Sequence, residues 1–316
     1  LGGGFKFSDA LCSHFSAFYV LSDGKNNHAP YDILFMMDPR KSKDRPYGLQ
    51  EILDERNSVS CKDHDTKLIY RVNECDAKRE ESIGIEKITR KAIWKADMVV
   101  YVSKWLRDYY HRKYPELASK NNCVIFNGVD RSVFVPLRLQ RGKHNGTPIL
   151  ITHHWSNNGF KGYDFYNTLN DHNGEGYRFI FIGRPHPKQR INKIEHHSPQ
   201  TNPSKLAELL AKADIYVTAS QCEPSGNHFM EGLSVGLPVL YRHSKKFTSG
   251  GIDEIACLMG ERFGDFELFK ISLEKVWSNY SQYQDKIKQH SDLLDVRISL
   301  KSYERLFMTI VNTQKK

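Results

Sequence analysis

The chain has 316 residues, with 46 lysines and arginines against 37 aspartates and glutamates, a formal net charge of +9 and a pI of about 9.1. That length buries a large core and makes two domains, and no run approaches the ~20 apolar residues of a membrane span. The positive balance points to anionic partners, but the basic residues are scattered and no helix-turn-helix, zinc-finger or RNA-stacking signature is present, which sets nucleic acid aside.

In chain order, residues Leu1 to Phe5 read as a glycine turn built on Gly2, Gly3 and Gly4, followed by a helix from Ser8 to about Leu21. The opening at Leu1, without a methionine or a cleavable signal, reads as a trimmed start whose first strand precedes it. Strands follow at Tyr31–Met37 and Lys67–Val72, the second ending in a polar group, Asn73, Glu74, Cys75 and Asp76. A helix over Ile83–Ala96, a strand over Met98–Ser103, a helix over Lys104–Lys113 and a strand over Cys123–Phe126 continue the alternation. Residues 137–147 are polar and basic without apolar period and read as a linker. The pattern then restarts, with strands at Pro148–Thr152, Tyr177–Ile182 and Ile215–Thr218 and helices at Tyr163–Leu169 and Ser204–Lys212. Leu294–Val311 is helical in pattern. Strands alternating with helices at this spacing argue for parallel α/β sheets covered on both faces.

The stretch from Ala213 to Leu240 is the most informative. Pro224, Ser225, Gly226 and Asn227 form a turn cluster that opens a helix over His228–Val235, with Gly236 as its stop and Pro238 leading into the next strand. A helix N-terminus beside a glycine-containing loop is a ready phosphate site. Glu223 before the turn and Glu231 one turn into the helix are placed to accept hydrogen bonds from sugar hydroxyls flanking a bound diphosphate.

These residues resemble the group 1 family of glycosyltransferases, the retaining group with the GT-B fold of two Rossmann-like domains facing across a cleft. The family's mark is Glu, seven residues, Glu, and it stands here as Glu223-Pro224-Ser225-Gly226 and Glu231, preceded by Asp214 and Ser220 and followed by Gly236-Leu237-Pro238-Val239. Val102 to Leu106, Asn127-Gly128-Val129-Asp130, Lys161-Gly162 and Phe181 to Gly183 match further segments, so the resemblance covers nearly the whole chain. The nearest subset is bacterial and viral, with a segment like Arg71-Val72-Asn73-Glu74-Cys75-Asp76. The domains implied are 1–140 on the acceptor side, 141–293 for the nucleotide sugar, and a last helix over 294–316 crossing back to the first.

The resemblance also distributes roles. Glu223 belongs to the transferred sugar and reacting region, and Glu231 to the ribose hydroxyls. Lys161 supplies the cation for the departing diphosphate; its alternative is a surface lysine before a helix. Gly226, Asn227 and His228 join the donor site, as do Gly3 and Gly4 by analogy with the family's glycine loop. Many relatives carry an arginine where strand register places His154. Either His154 partly replaces that cation, Arg184 supplies it from the next strand, or diphosphate binding is weaker. Arg71, Asn73, Glu74 and Asp76 fall on the acceptor side, with Asp76 a catalytic candidate; the alternative for this segment is a helix-capping loop. Asp63-His64-Asp65 lacks the setting of a metal-binding Asp-x-Asp, and adjacent His153 and His154 point to opposite faces of a strand. No metal is required and no cofactor is implied beyond the nucleotide-sugar substrate.

The reading is therefore a retaining, metal-independent hexosyltransferase of polysaccharide biosynthesis, moving sugar to a glycan or lipid-linked acceptor. The alternatives are a non-catalytic glycosyltransferase-like binding module, or an epimerase or phosphorylase on the same fold. Six well-separated cysteines (Cys12, Cys61, Cys75, Cys123, Cys222 and Cys257) fit free thiols in a reducing cytoplasm. Basic runs such as Arg40 to Lys43 allow peripheral contact with an anionic membrane.

Overall fold

The computed structural model describes residues 3–16, 31–43, 46–58, 64–141, 143–243 and 248–314. The chain divides into two compact units. The N-unit comprises Phe7–Asp76, Glu81–Phe126 and Ser299–Lys316; the C-unit comprises Asn127–Ile298 with Leu1–Lys6 and Ala77–Glu80.

In the N-unit, β1 (Ile33–Met36), β2 (Lys67–Val72), β3 (Met98–Tyr101) and β4 (Asn122–Val124) form a parallel sheet in the order β1-β2-β3-β4. Strand β2 is buried from Leu68 to Val72, which is why its apolar run is nearly continuous instead of alternating. The helix Ile85–Lys95 turns Ile85, Thr89, Ala92 and Ile93 inward. The helix Lys104–Lys113 starts where Ser103 Oγ accepts the Leu106 N–H at 3.1 Å. Tyr303 and Phe307, on the helix Val296–Gln314, complete an aromatic cluster with Phe7, Phe15 and Phe35 at centroid separations of 5.2 to 5.6 Å.

The C-unit holds β5 (Ile149–His154), β6 (Arg178–Gly183), β7 (Glu195–His197), β8 (Ile215–Thr218), β10 (Val239–Arg242) and β12 (Gly260–Phe263), with a two-strand ladder of β9 (Cys222–Glu223) and β11 (Ser249–Gly250). The main sheet is parallel in the order β12-β10-β8-β5-β6-β7. The chain runs outward from β5 through β6 to β7, then returns to β8 on the other side of β5. The strand order reverses there, and the crevice beyond the carboxyl ends of β5 and β8 is where an open α/β sheet takes ligands. A core of Leu150, Tyr166, Phe179, Phe181, Val217, Leu240, Phe263 and Phe269 lies under those strands.

Several elements depart from the sequence expectation. The first helix begins at Gly3, so Gly3 and Gly4 are helical instead of forming a turn, and it ends at Phe15; Gly2 and residues 17–21 lie outside the described residues, as does Asp63. The expected linker contains a short helix, Leu137–Arg141. Its anchor is a long-range ion pair: buried Arg138 meets buried Asp214 at 2.5 Å, and Asp214 also accepts the His144 and Ile149 N–H groups at 2.9 Å each. No local periodicity carries that information. The helices Leu49–Arg56, Phe266–Ser278 and Tyr280–Gln289, and strands β7 and β12, were not anticipated.

Candidate functional site

At the carboxyl end of β5 the chain makes a single turn, Gly159–Lys161, in which Asn158 Oδ1 accepts the Phe160 N–H at 2.9 Å. Gly162 follows with φ of +84°, and a Cβ there would collide with the Ala219 carbonyl. Glycine is therefore demanded twice, by conformation and by close approach. The loop after β5 is pressed against the segment after β8, a contact repeated by Gln221 N–H on Phe160 O at 2.8 Å. This brings the Lys161 ammonium into an ion pair with the Glu223 carboxylate.

Glu223 is held from behind by the β9–β11 ladder: it pairs with Gly250, and Gly251 donates to its carbonyl at 2.7 Å. Burial by itself raises the Glu223 carboxyl. The ammonium of Lys161, followed by His228 and then Lys78, outweighs that and holds it at about 2. It is an anion throughout the physiological range.

The helix Asn227–Val235 opens at Gly226, whose φ is +71°, and no side chain caps it among the described residues. Asn227 Oδ1 accepts from Asn127 Nδ2 at 2.9 Å. His228 Nε2 lies 3.0 Å from Thr218 Oγ1. Desolvation, helped by Lys161, overcomes the attraction of Glu223 and pulls His228 down to about 3. One turn on, buried Glu231 meets His153 Nε2 at 2.7 Å, and His153 Nδ1 in turn sits 3.1 Å from the Tyr216 hydroxyl. The two glutamates thus have different partners: an ammonium for Glu223, an imidazole for Glu231.

His154 is 3% exposed. The Tyr166 hydroxyl accepts the Ala219 N–H at 3.0 Å, which leaves its own proton for His154 Nε2 at 2.7 Å. Burial and the neighbouring His228 and Lys161 hold His154 well below the usual histidine range. A neutral imidazole therefore stands where the resemblance places an arginine. Arg184 is exposed after β6, its guanidinium 5.1 Å from the Trp155 ring centroid.

No family model matches the chain, and no curated protein sequence matches it. Solved structures do. Sucrose-phosphate synthase from Thermosynechococcus elongatus aligns with a TM-score of 0.66 at 12% identity, covering 97% of this chain and 78% of that one. WaaG, a glycosyltransferase involved in lipopolysaccharide biosynthesis, aligns at 0.64 and 14% identity, covering 97% and 96%. Anabaena Alr3699/HepE, solved with UDP and glucose, aligns at 0.60 and 14% identity, covering 96% and 80%. These are GT-B glycosyltransferases.

The chain has the GT-B fold.

Within this GT-B chain, the acceptor-side candidates are placed differently from the donor-side ones. Arg71 is 1% exposed and lies over the Phe7 ring at 4.2 Å, inside the N-unit. Asn73 and Glu74 are half-buried; Glu74 meets Arg40 at 3.3 Å, and its carbonyl accepts from the Tyr110 hydroxyl at 2.9 Å. The Asp76 carboxylate accepts the N–H groups of Ile83 at 3.1 Å, Ile85 at 3.3 Å and Glu86 at 3.4 Å, while Asp76 N–H donates to Glu86 Oε1 at 3.1 Å. These contacts are those of a helix cap.

The structure places further groups around Lys161 and Glu223 to which the sequence reading gave no role. The Ser220 and Ser225 hydroxyls are buried without a hydrogen-bond partner among the described residues, one on each side of Glu223 in sequence. Glu80 accepts the Gly159 N–H at 2.8 Å and helps fix the Lys161 turn. Gly250 and Gly251 hold Glu223. The only sequence signal for that last contact was a glycine pair after the strand that follows the motif.

Proposed function

We propose that the chain is a retaining, metal-independent glycosyltransferase that uses a nucleotide-sugar donor and passes the sugar to a glycan or lipid-linked acceptor. The observation that carries this reading is the Lys161–Glu223 pair beside the uncapped helix N-terminus at Gly226, both at the carboxyl ends of β5 and β8. The N–H groups of that helix and the Lys161 ammonium face a diphosphate. Lys161 gains most when the leaving phosphate takes on charge, so it favours the transition state over the bound donor. It fills the cationic role a metal would otherwise serve. Glu223 accepts from the hydroxyls of the transferred sugar, and Ser220 and Ser225 add donors beside it. Glu231, oriented by His153, accepts from the ribose. The leaving phosphate helps to deprotonate the acceptor on the same face. Held at about 2, Glu223 is no proton donor, which separates this reading from a glycosidase with a raised-pKa acid.

His154 is neutral, so Arg184 is the second cation for the diphosphate in this reading. The presence of UDP in the solved structures of HepE makes uridine the first base to test. The setting is cytoplasmic, with peripheral membrane contact where the acceptor is lipid-linked. Among the described residues no helix is long and apolar enough to cross a membrane.

The deciding experiment is a thermal-shift screen against UDP-, GDP-, dTDP- and ADP-sugars on wild type and Glu231→Ala. A donor at ~100 times its dissociation constant adds about 2.7 kcal/mol, a rise of a few degrees. One nucleotide class should shift the wild type and lose its effect in the variant. A folded wild type that responds to none of them overturns the donor reading.

A further inference from the structure

A cavity of about 460 Å³ opens on the N-unit. Lys41, Lys87 and Lys91 line it against one carboxylate, Glu51, which leaves the lining two charges positive. Lys41 is committed to Glu51 at 2.7 Å. Lys87 and Lys91 are exposed, and their side chains have no hydrogen-bond or ion-pair partner among the described residues. They stand one turn apart on the helix Ile85–Lys95, so their ammonium groups emerge on one face.

The other wall is the first turn of the helix Leu49–Arg56, entered through Gly48. A Cβ on Gly48 would press on the Lys41 backbone nitrogen at 2.8 Å, so glycine lets the 39–41 segment close the floor. Glu51 turns its carboxylate back onto the Gly48 N–H at 3.0 Å, and the Leu49 N–H donates to Pro39 O at 2.9 Å, so the charges left over in the concavity are the Lys87 and Lys91 ammonium groups. Lysine binds phosphate as a point charge.

We propose that this N-unit cavity is a binding site for a phosphate-bearing group, with Lys87 and Lys91 as its principal ligands. This proposal does not depend on the donor reading. Trp94 lies seven residues beyond Lys87 on the same helix face and is 53% exposed, with Lys120 Nζ 5.7 Å from its ring. An exposed tryptophan among lysines is the side-chain chemistry of a lipid–water interface. The phosphate therefore has two sources to separate, a soluble compound and a lipid headgroup.

The test uses inorganic diphosphate by calorimetry, and vesicles of phosphatidylglycerol or phosphatidylcholine by sedimentation. Both run in a Lys161→Ala/Glu223→Gln background, which removes the donor-site cation together with its partner. Lys87→Glu/Lys91→Glu is compared with Lys286→Glu/Lys288→Glu, an equal charge change on exposed lysines of the C-unit. The expected result is binding that the first pair weakens roughly tenfold or more and the second leaves unchanged. Diphosphate binding with that pattern names a soluble phosphate. Binding confined to phosphatidylglycerol vesicles, with the same pattern, names a lipid headgroup. Equal weakening by both pairs, or no binding of either probe in this background while the unmodified protein binds diphosphate, overturns the site. That last outcome leaves the donor reading intact.

Discussion

The loops that follow β2 and β8 carry the same signal: a buried parallel strand running into carboxylates and an asparagine, then a helix. The structure spends the two sets of groups differently. After β2, Asp76 turns its carboxylate onto the N–H groups that open the helix Ile85–Lys95, and Arg71 is drawn inside against Phe7. After β8, the helix Asn227–Val235 opens at glycine with no side-chain cap, and the carboxylates on either side are taken by Lys161 and His153. A polar cluster at a strand end becomes a binding site when the helix N–H groups remain available to a ligand. It becomes a cap when a carboxylate of the chain itself occupies them.

The largest expected effect tests the C-terminal half of that contrast. Lys161→Ala should lower kcat/KM for transfer by about 10²–10³, the cost of losing one well-placed charge stabiliser. It also strands Glu223 as an unpaired buried anion, which destabilises the fold. The double variant Lys161→Ala/Glu223→Gln should therefore recover its urea midpoint without recovering activity. Activity within fivefold of wild type in the single variant would reduce the pair to a structural ion pair.

Much of this was readable before the structure. Lys67–Val72, Lys104–Lys113 and Ile215–Thr218 run as expected, because a continuous apolar run or a serine cap marks each locally. Glu223, Glu231 and Lys161 were legible as a pattern, and the structure brings Glu223 and Lys161 together. What escaped depends on distant partners. The helix Leu137–Arg141 rests on Arg138 finding Asp214, 76 positions away. The β9–β11 ladder is two residues long and has no period to detect. The neutrality of His154 follows from Tyr166 and from burial, neither visible in a His-His dipeptide.

A second test follows from the imidazoles at the C-unit strand ends. His154 is held well below the usual range, and His228 at about 3, by burial first. Both folded pKa values are depressed, so the unfolded chain takes up these protons before the folded one does. Their contribution to stability is complete above about pH 6.5 and is lost as pH falls below it, for His228 down to about pH 3. Each imidazole adds a slope of up to about 1.4 kcal/mol per pH unit in that window. Glu223 adds a further loss only below about pH 4.5, as its carboxyl approaches its folded value of about 2. The urea midpoint should therefore fall steadily from pH 6.5 to 4.5, and less steeply in His228→Asn. A flat midpoint across that range contradicts the neutral-imidazole account.

The smallest effect decides the other half of the contrast. Asp76→Ala removes the carboxylate that accepts from Ile83, Ile85 and Glu86, and should cost about 0.5–2 kcal/mol in urea unfolding, the range for losing a helix cap. Asp76→Asn keeps an acceptor oxygen and should recover most of that loss. If Asp76 is a cap, kcat measured below the unfolding temperature changes little in either variant, and the two track stability alone. If Asp76 is the acceptor-side catalytic residue that its place in the sequence suggests, the asparagine variant keeps its stability and loses turnover. Only the cap leaves the loop after β2 a matter of architecture and the loop after β8 the site of chemistry.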